Sequence, residues 1–470
     1  MAGIGFKLKN LLKDESFISR IKAYSYAAVI SSGPWIYSLL SFLAVSFFVT
    51  SKSGMDKIFQ VSVIYVFAFS QVISGAFQLG ATRIIADYIY ESRFEMIPGV
   101  YLGTIACLSP ILALFAASVF SGTGIGAAYA LISSILFVLT GLIWIQLIIL
   151  TACRDFKTIT YRFAIGFIIS SAISITLGTR FGLIFYMAGF TAGILYIFMA
   201  MHVQILTEFK SRTGKIPSVP LLPKIKKYLP LIGVGFLFNA GVWADKFIFW
   251  FIGGSRVCGF LYENSVYDRM NLVLIVILIP VMAVFTLSVE TDFYVKFRNF
   301  YKSIVEKDNL DSINLNLSIM KRSIFKGANS ILKVTLPLAF LIMVFSRQII
   351  EALKMPVEYQ LNWCVFTAAA VVHSFFMLSL ILLMYYDFLN YTFRAVLVFF
   401  MANVLANILG ASFIGPKFMG YGFFIAVTAG LSAGVYYLKD AIDNLLYHTF
   451  SRERVPGEIV IKRNAANIRR

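Results

Sequence analysis

The sequence predicts an all-α integral membrane protein with about twelve transmembrane helices. Of its 470 residues, 59% are hydrophobic and 14% are charged, whereas roughly a quarter of the residues in soluble domains are charged. The apolar residues fall in blocks of about 20, the length that an α-helix needs to cross a hydrocarbon layer of roughly 30 Å. The basic residues are concentrated in alternate segments between these blocks, a distribution typical of membrane topology.

Twelve apolar windows mark the predicted spans. The shortest connection, residues 178–182, predicts a tight hairpin between the fifth and sixth spans. The first window is too long to be the apolar core of a signal peptide. The windows cover residues 23–49, 58–80, 98–120, 126–150, 160–178, 183–205, 229–252, 270–289, 331–350, 360–386, 393–414 and 421–437.

The distribution of basic residues predicts the orientation. With the N-terminus inside, and with basic residues near the ends of the windows counted with the adjoining segments, the cytoplasmic segments hold 32 of the 41 Lys and Arg residues and the outer loops hold 8. Lys246 lies well within a span. This bias matches the positive-inside rule, so we expect both termini in the cytoplasm. The net charge of +18 follows from the same topology, and we expect no nucleic-acid partner.

A basic segment with three prolines, residues 206–227, separates two groups of six spans. We therefore expect an amphipathic cytoplasmic segment (1–22), a first six-helix bundle (23–205), this linker, a second bundle (228–437) and a basic tail (438–470). Both halves alternate short outer turns with longer inner loops, which suggests a pseudo-symmetric duplication. The long inner segment 290–333 is either a helix on the membrane surface or a solvated charged linker.

Asp245 and Lys246, in the seventh span, are the first candidates for a substrate pathway, together with Asn239 on the same span. Ionisable groups at membrane depth are costly unless they are paired or hydrated, so they often face a cavity. The alternatives are that the two side chains reach the headgroups at the outer end of the span, or that they form a structural ion pair with a neighbouring helix.

The first span contains Gly33 and Pro34 near its middle, and we expect a helix break or kink there. Trp35 and Trp243 fall near the middle of the first helix of each predicted bundle, although tryptophans usually lie at the membrane interface. An indole ring offers a face to the apolar side of a sugar, with its N–H available to a hydroxyl. Packing between helices is the alternative role for both tryptophans.

Several uncharged polar residues share helix faces. Their amides and hydroxyls suit a neutral polyhydroxylated substrate, and hydrogen bonding between helices is the equal alternative. His373, alone among apolar neighbours, is interpreted as a packing residue. The residues with helical spacing are Gln71, Ser74 and Gln78 in the second span and Asn403 and Asn407 in the eleventh.

The residues that enzymes and cofactor sites require are scattered. The four cysteines and three histidines have no spacing typical of a metal site, and the acidic residues form no catalytic or phosphate-binding pattern. We therefore expect neither a cofactor nor an enzymatic activity.

Several stretches near the N-terminus together resemble the PelG family: residues 1–6 (MAGIGF), the basic segment through Lys22, residues 23–27 (AYSYA) and residues 31–35 (SSGPW). The resemblance implies membership of the multidrug/oligosaccharidyl-lipid/polysaccharide flippase superfamily, with a MATE-like fold of two six-helix bundles around a central cavity. It also implies export of an N-acetylgalactosamine-rich Pel polysaccharide across the bacterial cytoplasmic membrane, under cyclic di-GMP control through a partner. It assigns no site residues.

The expected partners are the polysaccharide, a cytosolic glycosyltransferase, other Pel membrane components and membrane lipids. The basic loops at residues 224–227 and 296–333 would dock the glycosyltransferase or anionic lipid. The alternative function is an ion-coupled MATE-like exporter, or a flippase for a lipid-linked oligosaccharide, with Asp245 as the coupling carboxylate.

Overall fold

The computed structural model of the chain describes residues 17–53, 56–152, 156–209 and 228–451. Within these ranges, twelve helices are long and apolar enough to cross a membrane, which agrees with the predicted number. Most of the expected linker at 206–227 lies outside the described residues. The same holds for residues 1–16 of the N-terminal segment and 452–470 of the tail.

The first of two compact units runs from Ser32 to Asp268. The predicted apolar windows locate each of its long helices, although α2 continues well beyond its window. The seventh predicted span lies in this unit together with the first six. The helices are α1 (Phe17–Ser53, which enters the unit at Ser32), α2 (Asp56–Tyr90), α3 (Ile97–Ser121), α4 (Ala127–Ala152), α5 (Phe156–Phe181), α6 (Leu183–Glu208) and α7 (Leu229–Phe251).

Helix α1 continues through Gly33 and Pro34 as one helix, and a kink at these residues stays a prediction. Proline removes one backbone donor from a helix, and the rest of the hydrogen-bond ladder is enough to keep α1 in one piece. Gly33 serves packing, since a Cβ there would lie 3.3 Å from Thr160 Cγ2 on α5. The Ser41 and Ser171 hydroxyls, 2.9 Å apart, join the same two helices.

A short β-hairpin follows α7. Strands β1 (Ser255–Cys258) and β2 (Leu261–Glu263) pair antiparallel, with an irregularity between Arg256 and Cys258. Lys57, at the start of α2, forms an ion pair with Glu263 at 2.5 Å. The Tyr65 hydroxyl accepts from the Tyr262 backbone N–H at 3.0 Å. The hairpin is therefore attached to the start of α2.

The second unit comprises the chain before Ser32 and from Arg269 onward. A short helix, α8 (Ser265–Met270), leads into it. Arg269 donates to the carbonyls of Leu353 and Lys354, both at 2.8 Å. The other helices are α9 (Leu272–Leu287), α10 (Tyr294–Val305), α11 (Leu310–Val344), α12 (Ser346–Ala352), α13 (Gln360–Tyr385), α14 (Leu389–Phe413), α15 (Tyr421–Asp443) and α16 (Leu445–Phe450).

The inner segment 290–333 is largely helical. A π-helical stretch, Ser288–Phe293, leads from α9 into α10. Phe297, Phe300 and Tyr301 on α10 are buried while Lys302 is exposed, as expected for an amphipathic helix. The remainder of the segment belongs to α11, which also contains the start of the ninth predicted window.

Helices α2 and α7 approach each other unusually closely. A Cβ added at Gly235 would lie 2.1 Å from the backbone oxygen of Gly75, and one added at Gly75 would lie 2.4 Å from Asn239 Nδ2. Only glycine at both positions permits this approach. It brings the polar side chains of α2 and α7 within reach of each other.

Candidate functional site

Polar side chains of α2, α7 and α8 converge near the end of α7 that leads into the β-hairpin. We call this group the Asp245 cluster; every member belongs to the first unit. Asp245 lies six residues before the end of α7 at Phe251, which is about 9 Å along the helix. The cluster therefore lies within the span, below the hairpin. Its members are Gln71, Trp243, Asp245, Lys246, Tyr267 and Asp268.

Trp243 organises one side of the cluster. Its indole N–H donates to Gln71 Oε1 at 3.1 Å, and the Lys246 ammonium lies 3.9 Å from the centre of its ring. The N–H is therefore not available to a sugar hydroxyl, contrary to expectation, because a partly buried donor in a membrane needs a protein partner. The Gln71 amide nitrogen keeps two donors for which the described part of the chain supplies no acceptor.

Asp245 is almost completely buried, with 1% of its surface exposed. Its Oδ2 accepts a hydrogen bond from the Tyr267 hydroxyl. Its Oδ1 has no hydrogen-bond partner among the described residues. A buried carboxylate oxygen without a donor is costly, so Oδ1 is the atom of the Asp245 side chain that the described residues leave unsatisfied.

Lys246 and Asp245 do not form an ion pair with each other. Neighbouring residues on a helix point in different directions, and no carboxylate of a described residue lies within 4.0 Å of the Lys246 ammonium. Lys246 interacts electrostatically with both Asp245 and Asp268. Asp268 also accepts from the Trp250 indole N–H at 2.8 Å.

A row of aromatic rings runs beside the cluster between α2 and α7. Tyr65 stacks on Trp250 with ring centres 4.7 Å apart, and Phe69 stacks on Phe247 at 4.4 Å and an interplanar angle of 1°. Phe247 in turn stacks with Trp243 at 6.2 Å. Trp243 and Phe247 are half-buried while Tyr65 and Trp250 are buried. Phe69 is half-buried as well, so the accessible rings of the row are Phe69, Trp243 and Phe247.

Trp35 lies at a separate place in the same unit. Its ring, 37% exposed, is 5.2 Å from that of Trp144, whose N–H donates to Ser70 Oγ at 3.2 Å. Pro34, Trp35 and Trp144 line a cavity of about 20 Å³, which is roughly the space of a single water molecule. Trp243 does not line this cavity.

The other polar candidates of the first unit divide by role. Ser74 donates to the Gly141 carbonyl of α4 at 2.8 Å, and Asn239 donates back to the Gly235 carbonyl at 2.8 Å. Both bonds satisfy the side chains within the protein. Gln78 is half-buried, and the described residues offer its side chain no hydrogen bond. It lies two turns from Gln71 on the same face of α2, about 10 Å away.

Asn403 and Asn407 lie in the second unit and bond to each other. Asn407 Nδ2 donates to the Asn403 backbone oxygen at 2.8 Å and to Asn403 Oδ1 at 2.5 Å. Both residues are fully buried, and a Cβ at Gly422 on α15 would lie 2.2 Å from Asn407 Oδ1. This geometry favours packing between α14 and α15. His373 is buried beside the Phe423 ring, 5.8 Å away.

Two sets of polar residues were missed from the sequence. Tyr267 and Asp268 lie just before the eighth apolar window, residues 270–289, so the hydropathy pattern does not mark them as part of a span. Gln146 on α4 donates to the Tyr101 hydroxyl at 2.7 Å, and that hydroxyl is 2.7 Å from His202 Nδ1. These three residues lie on different helices with no shared spacing that a sequence could reveal.

Across the described residues, no group of three metal-ligating side chains is present.

The structure is similar to solved transporters along most of its length. A MOP superfamily transporter from Pyrococcus furiosus has a TM-score of 0.63 at 13% identity, over 90% of this chain and 96% of that one. An outward-facing multidrug resistance MATE family transporter has a TM-score of 0.60 at 13% identity, over 90% of this chain and 96% of that one. An inward-facing transporter of the same family has a TM-score of 0.56 at 14% identity, over 90% of this chain and 95% of that one. The expected all-α, MATE-like membrane fold is thus confirmed.

No curated protein matches the chain. The model of the PelG family, described as "Putative exopolysaccharide Exporter (EPS-E)", matches residues 1–450. The resemblance seen in the N-terminal residues therefore extends through nearly the whole chain. With twelve helices able to span a membrane and the fold of a MATE transporter, the chain is a multi-pass membrane transporter that belongs to the PelG family.

Proposed function

We propose that the chain passes an exopolysaccharide, N-acetylgalactosamine-rich as in the Pel type, across the bacterial cytoplasmic membrane. In this proposal both termini face the cytoplasm, and a cytosolic glycosyltransferase and other Pel membrane components work with it. The family match supports export of such a polymer. The fold supports a transporter but carries no information on the substrate.

The observation that carries the proposal is the half-buried Trp243 ring beside the amide of Gln71, with the amide of Gln78 two turns along the same face of α2. The side-chain oxygen of Gln71 accepts from Trp243, and its N–H groups can donate to hydroxyl or acetamido oxygens of the substrate. An aromatic ring next to uncharged donors suits a sugar, whose faces are apolar and whose edges are polar.

Deletion of the chain in cells that keep the glycosyltransferase tests the proposal. We expect secreted polymer to disappear while polymer or lipid-linked precursor persists in the cytosol. Expression of the intact chain should restore secretion. If secretion continues without the chain, the proposal is wrong.

The buried Asp245 favours a second candidate, an ion-coupled exporter of the MATE type for small cations or lipid-linked oligosaccharide. Its unpaired Oδ1 is a possible site for a coupling proton or Na⁺. In Asp245→Asn the amide oxygen still accepts from Tyr267, but the charge is lost. Under the second candidate this variant stops transport, and so does collapse of the membrane potential. Under polysaccharide export without ion coupling, secretion continues in both conditions.

A further inference from the structure

The second unit contains an open groove between α10 and the first half of α11. Its volume is about 460 Å³, within the range of roughly 300–1,000 Å³ that small-molecule sites occupy. Three basic side chains line it: Lys296 from α10, and Arg322 and Lys326 from α11. No described carboxylate contributes to the lining. The groove is therefore suited to an anion.

Two of these cations are available. In the described part of the chain, neither Lys296 nor Arg322 forms an ion pair. The Lys326 ammonium is 3.6 Å from Asp292 Oδ2, with 69% of the lysine side chain exposed. Such exposed pairs contribute little stability, so a stronger anion would compete successfully with Asp292.

Apolar side chains lie beside the cations on the same helix face. Leu315 and Ile319 line the groove. Ile319 is four residues and Arg322 seven residues after Leu315, which places all three on one side of α11. Leu315 is 61% exposed and Ile319 is 42% exposed. An inorganic phosphate would leave these side chains uncovered, whereas an acyl chain would cover them.

The length of α11 places the groove at a membrane boundary. Its 35 residues extend over about 52 Å, whereas the hydrocarbon layer needs about 30 Å. The last basic residue of α11 is Lys333, and residues 334–344 are uncharged. The first half of α11, with Arg322 and Lys326, therefore lies in the headgroup region or beyond it.

We propose that this groove binds an anionic phospholipid, with its phosphate on Lys296, Arg322 and Lys326 and part of an acyl chain on Leu315 and Ile319. This goes beyond polysaccharide export and does not depend on it. The lipid would fix α10 against α11 in the membrane.

The test compares phosphatidylglycerol and phosphatidylcholine binding to the purified full chain by native mass spectrometry. The test variant is Lys296→Gln with Arg322→Gln. The matched control, Lys302→Gln with Arg347→Gln, removes the same charge at exposed positions outside the groove, one of them also on α10. We expect phosphatidylglycerol to bind about thirtyfold more weakly to the test variant, as the loss of two basic residues near an anionic headgroup predicts. Its binding to the control should be unchanged.

Three results would overturn the proposal. Equal binding of the two lipids would remove the requirement for an anion. Equal weakening in both variants would show attraction by overall charge. Displacement of the lipid by millimolar inorganic phosphate would identify a soluble phosphate as the ligand. Leu315→Gln with Ile319→Gln gives a second readout that needs no change of charge: phosphatidylglycerol binding should fall.

Discussion

The ammonium group of Lys246 lies 3.9 Å from the centre of the Trp243 ring, and both residues are on α7. Lys246 is 7% exposed, so the ring replaces part of the hydration that the cation loses. Cation–π contacts of this desolvated kind contribute about 2 kcal/mol. In the proposed pathway the same ring would contact the sugar, so a substitution at Trp243 should change both stability and transport.

Trp243→Ala should lower both secretion and stability. It removes the ring from Lys246, at a cost of about 2 kcal/mol or more, together with the proposed sugar platform. Trp243→Phe keeps a ring and loses only the bond to Gln71, worth about 1 kcal/mol. Secreted polymer, normalised to membrane-inserted protein, should fall strongly in the first variant and mildly in the second. Equal secretion from all three proteins would exclude a role of Trp243 in the pathway.

Gln71→Leu combined with Gln78→Leu should reduce secretion while the protein still folds. The substitutions keep the volume of the side chains and remove the amide donors, and only the bond from Trp243 is lost within the protein. The readouts are secreted polymer and the melting temperature in detergent. Unchanged secretion would show that the uncharged face of α2 does not contact the substrate.

Gly235→Ala should destabilise the first unit. The new methyl group would lie 2.1 Å from the Gly75 backbone oxygen. A backbone atom cannot rotate away as a side chain can, so α2 and α7 must separate, which costs about 1–3 kcal/mol. The matched control is Gly80→Ala on α2, whose Cβ would lie at an ordinary 3.7 Å from Ile232. Thermal unfolding should distinguish them. Equal melting temperatures would mean that the close approach is not required.

Cys258 should react with a membrane-impermeant maleimide from outside intact cells, because the charge distribution places the β-hairpin outside. Burial raises the pKa of the Cys258 thiol, and Arg256 offsets this only in part. Less thiolate is therefore present at neutral pH than for an ordinary cysteine, and labelling should accelerate as the pH rises toward that raised pKa. The measurement uses a variant with the other three cysteines replaced by serine. Labelling only after permeabilisation would reverse the orientation.

The membrane-spanning helices could be predicted from the sequence because each needs about 20 mostly apolar residues in a row, and no other part of the chain has such a run. The connection at residues 178–182 is an example: α5 ends at Phe181, Gly182 has φ 89°, and α6 begins at Leu183. The β-hairpin was not predicted, since two short strands carry too little pattern. Helix α1 runs through Pro34 as one helix, and a kink at Gly33 and Pro34 stays a prediction.

The site could be predicted in part. Helical spacing placed Gln71 and Gln78 on one face, and the rarity of charge at membrane depth identified Asp245 and Lys246. The pairing of Trp243 with Gln71 depends on the closeness of α2 and α7 and could not be read from either helix alone. Asn403 and Asn407, four residues apart, also share a helix face, yet Asn407 donates to Asn403 rather than to another helix. A shared face therefore does not reveal what it contacts.

Polymer uptake into inverted membrane vesicles tests polysaccharide export most directly. Vesicles that contain the glycosyltransferase and its Pel membrane partners, with or without this chain, are supplied with nucleotide sugar and then treated with a glycosidase that degrades all polymer outside them. With the chain present, we predict polymer inside the vesicles that resists the glycosidase until detergent is added. Equal amounts of protected polymer without the chain would contradict the account.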